Sequence, residues 1–295
     1  MKKKIFLHIG FPKTGTSSIQ YFCSANRKAL KNCGVLYPLS GDTPYAGQAG
    51  LAFAARMKAS NPFKILIAEI DNSPCDKIVI SSEYFFMLEH KKILFLAEQL
   101  ADFEATIIVY LRRQDTRIES GYLQVLRDTE FRFSGNIADY IKFLRSYPRR
   151  TNYYRFLQPW SDVFGNSAVK VCVYEEHSRG GRLVHGFMKI INCSLKKELE
   201  IDQKKKNVAY KPALNSILRR LNFIPLPKKA HVLILVLFDF LTRHVFGPGS
   251  ISEHNLLSNV ERKAIIDEYR ESNKNVAVEY LGRDDGKLFD EIENQ

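Results

Sequence analysis

Continuous, non-alternating apolar runs are the strongest constraint on what this 295-residue chain can fold into. They are Lys4–Ile9, Lys77–Ser81 (KIVIS), Ala105–Leu111 (ATIIVYL) and Val169–Tyr174 (VKVCVY). A strand with one wet face alternates apolar and polar residues, whereas a strand that is apolar throughout is buried on both faces. Segments of helical period stand between the runs: Thr16–Leu30, Lys91–Phe103 and the charged, amphipathic Thr116–Arg127. Alternation of this kind predicts a parallel sheet with helices on each side. Gly34–Pro38 adds a short candidate strand. After about Asn192 the pattern is helical, in Ala213–Leu221, Lys228–Phe246 and Val260–Leu281. Pro225, Pro227, Gly247, Pro248 and Gly249 punctuate that region. The expectation is one domain over 1–295, with an α/β core of about 1–195 and a helical C-terminal cover of about 196–295.

Composition narrows the class. Hydrophobic residues at 45% and aromatics at 12% supply a sizeable core and exclude disordered, collagen-like and low-complexity chains. Lys and Arg total 44 against 32 Asp and Glu, a net charge of +12. Such an excess suits anionic partners: nucleic acid, a membrane surface, acidic glycans or phosphorylated cofactors. Lysines at 2–4 followed by an apolar run imitate a signal peptide. That run ends at Gly10-Phe11-Pro12-Lys13, too soon for a signal-peptide core, and a buried strand fits better. The apolar stretch Val232–Leu241 contains Asp239 and is too short to span a bilayer. It reads as a packed lid helix or, flanked by Lys228-Lys229 and Arg243-His244, as a helix lying peripherally on a membrane. The five cysteines are odd in number and lack C-x-x-C spacing, so neither a disulfide framework nor a zinc site is expected. Reduced thiols in a cytoplasmic protein are the default.

The first run leads directly into Gly10-Phe11-Pro12-Lys13-Thr14-Gly15-Thr16-Ser17-Ser18 and then a helix. A helix start presents unpaired amides and a positive dipole end, and Gly15 allows a ligand to approach the backbone closely. With Lys13 as a mobile cation and a run of hydroxyls, this is a site for a phosphate-like anion. The spacing of Gly10 and Gly15 matches the nucleotide triphosphatase signature G-x-x-x-x-G-K-[ST], and Ser17 takes its last place. Thr16 stands where that signature has lysine, and the lysine has moved into the loop as Lys13. The second and third runs end in Ser81-Ser82-Glu83 and Arg112-Arg113, without the aspartate a magnesium site needs. The loop therefore reads as built for an anion handled without metal. A plain glycine turn with an exposed lysine and a capping threonine is the bland alternative.

Arg112 follows a buried strand, where open α/β sheets bind ligands, and can donate a bidentate pair to a phosphate. Ser120 lies eight residues on in the next helix, with a hydroxyl that can reach the same oxygens. Arg113 and Arg117 read as solvated or paired with Asp115 and Glu119, and for Arg117 that is the expectation.

The two motifs together resemble the sulfotransferase superfamily. PKTGTSSIQ (12–20) looks like its 5′-phosphosulfate loop, and RRQDTRIES (112–120) like its 3′-phosphate motif. The RRQD spelling, IVISSEYF (78–85) and a late Glu271-Ser272-Asn273 with Tyr280 are similar to bacterial carbohydrate-type sulfotransferases. The resemblance implies a P-loop NTPase-like three-layer α/β sandwich around a central parallel sheet. It implies 3′-phosphoadenosine 5′-phosphosulfate as donor, no metal, and a saccharide or glycolipid hydroxyl as acceptor. Lys13, Gly15, Thr16, Ser17 and Ser18 would hold the donor's 5′ end, with Thr14 a looser member, and Arg112 and Ser120 its 3′-phosphate. Lys13 and the loop amides would stabilise charge in transfer, and Glu83 would be the base. Glu83 also reads as a helix-start acid after a capping Ser82. His8, two residues before the loop, is the competing base and otherwise a core histidine. Tyr84, Phe85 and Phe86 read equally as a stacking surface beside Glu83 or as core. The alternatives are a nucleotide-dependent kinase with a variant loop and a non-catalytic glycan-binding protein. Nucleic acid is not an expected partner: Lys204-Lys205-Lys206, Arg149-Arg150 and Arg219-Arg220 read as solvated faces, and no nucleic-acid module is present.

Overall fold

The computed structural model describes residues 2–43, 47–178, 182–194, 210–250 and 252–290. In chain order, β1 (Lys4–His8) leads to α1 (Thr16–Ala25), α2 (Arg27–Asn32), β2 (Val35–Leu36), α3 (Ala49–Met57) and α4 (Asn61–Asp71). Then come β3 (Lys77–Ser81), α5 (His90–Gln99), β4 (Glu104–Leu111), α6 (Gln114–Leu126), α7 (Ile137–Arg145) and α8 (Tyr153–Phe164). The chain continues through β5 (Val169–Val173), α9 (Tyr174–Ser178), α10 (Leu183–Ile190), α11 (Pro212–Leu221), α12 (Lys228–Leu241), α13 (Asn259–Glu268) and α14 (Arg270–Leu281). It divides into two compact units. One comprises Met1–Arg112, Asn152–Asp202 and Glu271–Glu291; the other comprises Arg113–Thr151, Gln203–Arg270 and Ile292–Gln295. The basic run Lys204-Lys205-Lys206 lies outside the described residues.

The first unit is an α/β sandwich. Its five-stranded sheet has the order β2-β3-β1-β4-β5 and every pairing is parallel. Both faces are buried, as the continuous apolar strands require. Ile5, Leu7, Ile78, Ile80, Ile107, Val109 and Leu111 pack on one face with α3, α4, α5, α8 and α14. Phe6, Val79, Ile108, Tyr110 and Cys172 point to the other face, against α1, α2 and α10. Because side chains alternate along a strand, each strand feeds both cores. β1 connects onward to β2 on one side of the sheet, and β4 to β5 on the other. The crevice where the connections diverge therefore opens at the carboxyl ends of β1 and β4.

The predicted helix over Thr16–Leu30 is two helices. At Asn26 the backbone turns to φ −111° and the Nδ2 amide donates to the Phe22 carbonyl at 2.9 Å, which closes α1. The predicted Val260–Leu281 helix also breaks, at Tyr269, with φ −106°. The Lys228–Phe246 segment is α-helical to Leu241 and finishes in a π turn over Thr242–Phe246. Among the described residues all five cysteines are free, and Cys23, Cys75, Cys172 and Cys193 are buried. No described helix is long and apolar enough to cross a membrane.

The second unit has its own core, built from Ile118, Tyr122 and Leu126 of α6, Leu144 of α7, Leu214 and Leu218 of α11, Phe238 of α12 and Ile265 of α13. α7 and α13 both start in capping boxes, Asn136 with Asp139 and Ser258 with Glu261. α6 and α13 are joined by ions. Arg262 binds Glu119 through two bonds of 2.8 and 2.6 Å and reaches Asp115 at 3.2 Å. Arg113 makes a bidentate pair with the same Asp115 at 2.8 and 2.9 Å, one of the pairings expected. Arg117 corrects its expectation: it is buried, not solvated, and donates to the Arg150 carbonyl at 2.5 Å.

Candidate anion-binding and transfer site

The glycine loop is shaped by three consecutive demands on its backbone. Gly10, Lys13 and Gly15 all have positive φ, at 52°, 71° and 79°. For Lys13, an ordinary L-residue, this left-handed conformation is strained, a condition that collects at functional sites. At Gly10 a Cβ would lie 2.7 Å from the Glu83 Cα, so only glycine lets the loop rest against the start of the segment after β3. At Gly15 a Cβ would lie 2.3 Å from Leu183 Cδ2 and 3.1 Å from the Tyr174 ring. Gly15 is also the N-cap of α1 and offers no side-chain acceptor, and the first turn holds no acid. The positive end of the α1 dipole is thus left for a ligand to complement.

The hydroxyls of the loop have different duties. Thr14 is fully buried and its Oγ1 donates to the Phe11 carbonyl at 2.6 Å, which ties the loop to itself. Thr16 is also buried, but its Oγ1 has no hydrogen-bond partner among the described residues. A buried orphan hydroxyl is costly unless something completes it, and an anion seated on the loop would do so. Ser17 and Ser18 follow in the first turn of α1.

Glu83 and Arg112 converge on this loop. Glu83 opens a single 3₁₀ turn, Glu83–Met87, whose N-cap Ser82 accepts from the Tyr84 amide at 3.2 Å. The Ser82 amide in turn donates to the His8 carbonyl at 3.1 Å, which fixes the end of β3 to the end of β1. Burial raises the Glu83 carboxyl above its ordinary pKa, and the nearby Lys13 cation partly offsets this. Arg112, one residue past β4, donates through Nη1 to the Lys13 carbonyl at 3.1 Å. Its guanidinium lies 5.2 Å from the centre of the Tyr174 ring, and the Tyr153 hydroxyl donates to its carbonyl. The ends of β1, β3 and β4 thus bring Lys13, Glu83 and Arg112 around one loop.

Tyr174 is a component the sequence reading missed as a site residue. It was the final letter of VKVCVY, yet it lines both Gly15 and Arg112. Its position immediately after β5, equivalent to that of Arg112 after β4, was the available signal.

His8 has a different environment. It is fully buried between Tyr110 and Phe187, with ring centroids 5.8 and 5.5 Å away, and its Nδ1 pairs with Ser81 Oγ at 2.8 Å. Burial lowers its pKa to about 3. Of the aromatic triplet, Phe85 is core, Phe86 packs 5.7 Å from Phe11, and Tyr84 is exposed beside the exposed Phe53 at 4.9 Å. Ser120 is buried on α6, in the second unit, whereas Arg112 closes the first segment of the first unit. Of the late Glu271-Ser272-Asn273 and Tyr280, Ser272 and Tyr280 turn out to be fasteners of α14 on α8. Ser272 Oγ donates to Asn152 Oδ1 at 2.9 Å and accepts from the Tyr154 amide at 3.1 Å, and the Tyr280 hydroxyl meets Ser161 Oγ at 2.7 Å.

The class defined by the fold is a parallel α/β domain with a glycine loop at the switch point of its sheet. No protein-family model matches the chain. An uncharacterized protein of Archaeoglobus fulgidus is 25% identical over 212 residues, which is 70% of this chain and 54% of that protein. The chain therefore spans about half the length of the curated relative it matches. A solved sulfotransferase from Alicyclobacillus acidocaldarius aligns over 79% of this chain and 95% of its own, at 18% identity and a TM-score of 0.41. Likeness at that level assigns no activity to this chain.

Proposed function

We propose that this chain is a sulfotransferase that uses 3′-phosphoadenosine 5′-phosphosulfate and sulfates a hydroxyl of a saccharide or glycolipid. The observation that carries the reading is the convergence of Lys13, Glu83 and Arg112 on a glycine loop with an uncapped helix start. The residues present fit such a donor. The orphan Thr16 hydroxyl awaits an acceptor oxygen, and the Lys13 and Arg112 cations stand at the loop. When bound, the donor supplies the sulfuryl group.

Each side chain then has a separate task. Lys13, Gly15, Thr16, Ser17 and Ser18 hold the 5′ end, and Thr14 serves by shaping the loop. Arg112 takes the 3′-phosphate, with Tyr174 supporting the guanidinium. Lys13 and the loop amides balance the negative charge that builds on the transferred group and leaving oxygen. Glu83 accepts the proton of the acceptor hydroxyl. Its raised proton affinity suits a general base, since a carboxylate of ordinary pKa is a weak one. His8 is enclosed by the Tyr110 and Phe187 rings and is held neutral by burial, which favours Glu83 over it. The exposed Tyr84–Phe53 pair beside Glu83 is the proposed platform for an acceptor sugar ring.

Isothermal titration with 3′,5′-adenosine bisphosphate tests the reading. The expected result is binding by the native chain and a loss of at least about tenfold in Lys13→Ala and in Arg112→Ala. Unchanged affinity in both variants overturns it.

A further inference from the structure

We propose that α12 is an interfacial helix that lays this protein on an anionic lipid surface. The helix presents its apolar residues the wrong way round for a packed lid. Only His231 and Phe238 of α12 are buried. The opposite stripe is Val232, Leu233, Val236, Leu237 and Phe240, at i, i+1, i+4, i+5 and i+8, and it is exposed; Leu233 is 69% and Phe240 55% accessible. Residues at that spacing share one helix face, so the stripe is continuous and not a scatter of single side chains. Phe223, 70% accessible, and Ile224 stand exposed in the turn that precedes the helix. Val245 and Phe246 are exposed in the π turn that follows it.

Charge identifies the occupant. Residues 210–250 contain Lys211, Arg219, Arg220, Lys228, Lys229 and Arg243 and a single acid, Asp239. That acid is turned to its own unit, where Arg127 binds it at 3.2 Å. Lys228, whose ammonium pairs with Glu130, and Lys229 begin the helix, and Arg243 and His244 follow its end, so Lys229 and Arg243 are the cations that flank the apolar face. An amphipathic helix with an apolar face and basic margins sinks to the headgroup boundary of an anionic bilayer. A second copy of the chain fits worse. A two-fold pairing of α12 with itself sets Lys229 against Arg243 when antiparallel and Lys229 against Lys229 when parallel, like charges in both cases.

The test is flotation of the full chain with vesicles of phosphatidylcholine alone and with about one-third phosphatidylglycerol, without nucleotide. The expected result is binding to the anionic vesicles only. Leu233→Ser/Phe240→Ser should lower it by more than about tenfold, through lost apolar burial. Lys229→Gln/Arg243→Gln should lower it about fivefold per cation removed. Circular dichroism and melting temperature matched to the native chain establish that these exposed substitutions leave the fold intact. Absence of binding to anionic vesicles, equal binding by the serine variant, or a dimer in sedimentation equilibrium that the serine variant abolishes would each overturn the proposal. None of these outcomes depends on nucleotide, so they leave the sulfuryl-transfer reading to its own titration.

Discussion

Under the proposed function Glu83 couples chemistry and stability in one carboxyl, and the two respond to pH in opposite directions. As a base it must be ionised. Burial holds its folded pKa above the ordinary carboxylate value, so turnover should fall on acidification at a pH above that ordinary value. The fold prefers the protonated form, so the stability Glu83 contributes is full below its unfolded pKa and is lost as pH rises through the folded one. Glu83→Gln should therefore lose roughly 10²–10⁴-fold in turnover, keep nucleotide affinity, and melt higher than the native chain at neutral pH. The melting gain should vanish in acid, and a variant that keeps full rate would place the base elsewhere. Gly10 makes the complementary case for backbone. Gly10→Ala combines a positive φ of 52° with a Cβ 2.7 Å from the Glu83 backbone. Gly165→Ala has a positive φ of 86° but nothing within 4 Å. Gly10→Ala should lose about 1 kcal/mol to its positive φ and about 1–3 kcal/mol more for the clash, whereas Gly165→Ala, at φ 86° and ψ 147° in a region open essentially to glycine alone, should lose about 1–3 kcal/mol from the backbone by itself, both read by urea unfolding.

Elements in the second unit are held by charge as well as by apolar packing. Asp115 is fully enclosed and Glu119 nearly so, and Arg262 of α13 is the residue that brings a cation to both. Arg262→Met should cost about 3–5 kcal/mol in urea unfolding, because it removes the two-bond partner of the buried Glu119 and one of the two guanidinium groups on the buried Asp115. The outlying pair Arg145–Glu268 joins α7 to α13, with Arg145 57% accessible, and Arg145→Met should cost less than about 1 kcal/mol. A similar cost for both would mean that burial does not set the strength of these pairs. The contrast also shows where the sequence was readable. β3 was expected over Lys77–Ser81 and forms over those residues, because a continuous β-branched run has few other fates. The ends of β3, β1 and β4 carry Glu83, Lys13 and Arg112, the residues that the sequence motifs single out. The partner of Glu119 was not readable, since Arg262 lies 143 residues away and no local period records it. The break at Asn26 involves a side-chain bond to the Phe22 carbonyl inside an otherwise helical pattern. Tyr174 was hidden because an aromatic at a strand end looks like core until the neighbouring loop is in place.

At the scale of the whole molecule, a ligand that binds only the folded chain must raise its melting point, whatever part of the chain it touches. This gives the donor reading a test that needs neither acceptor nor turnover. At a free ligand concentration about one hundred times the dissociation constant, the stabilisation is about 2.7 kcal/mol. Unfolding entropy of about 2.1 cal/mol/K per residue over a chain of this length converts that to a rise of about 4 °C. The rise should appear with 3′,5′-adenosine bisphosphate, survive EDTA, and disappear in Lys13→Ala and Arg112→Ala at the same ligand concentration. The kinase alternative predicts another pattern: a rise with ATP and magnesium that EDTA removes, and little with the bisphosphate. The net charge of +12 gives every polyanion some general attraction, so inorganic pyrophosphate serves as the control for charge alone. Added salt should erase the pyrophosphate effect first, because dispersed surface charge is screened over about 8–10 Å whereas contacts inside a loop are not. A bisphosphate shift no larger than that of pyrophosphate at every salt concentration would reduce the loop to a general anion trap and sink the donor assignment.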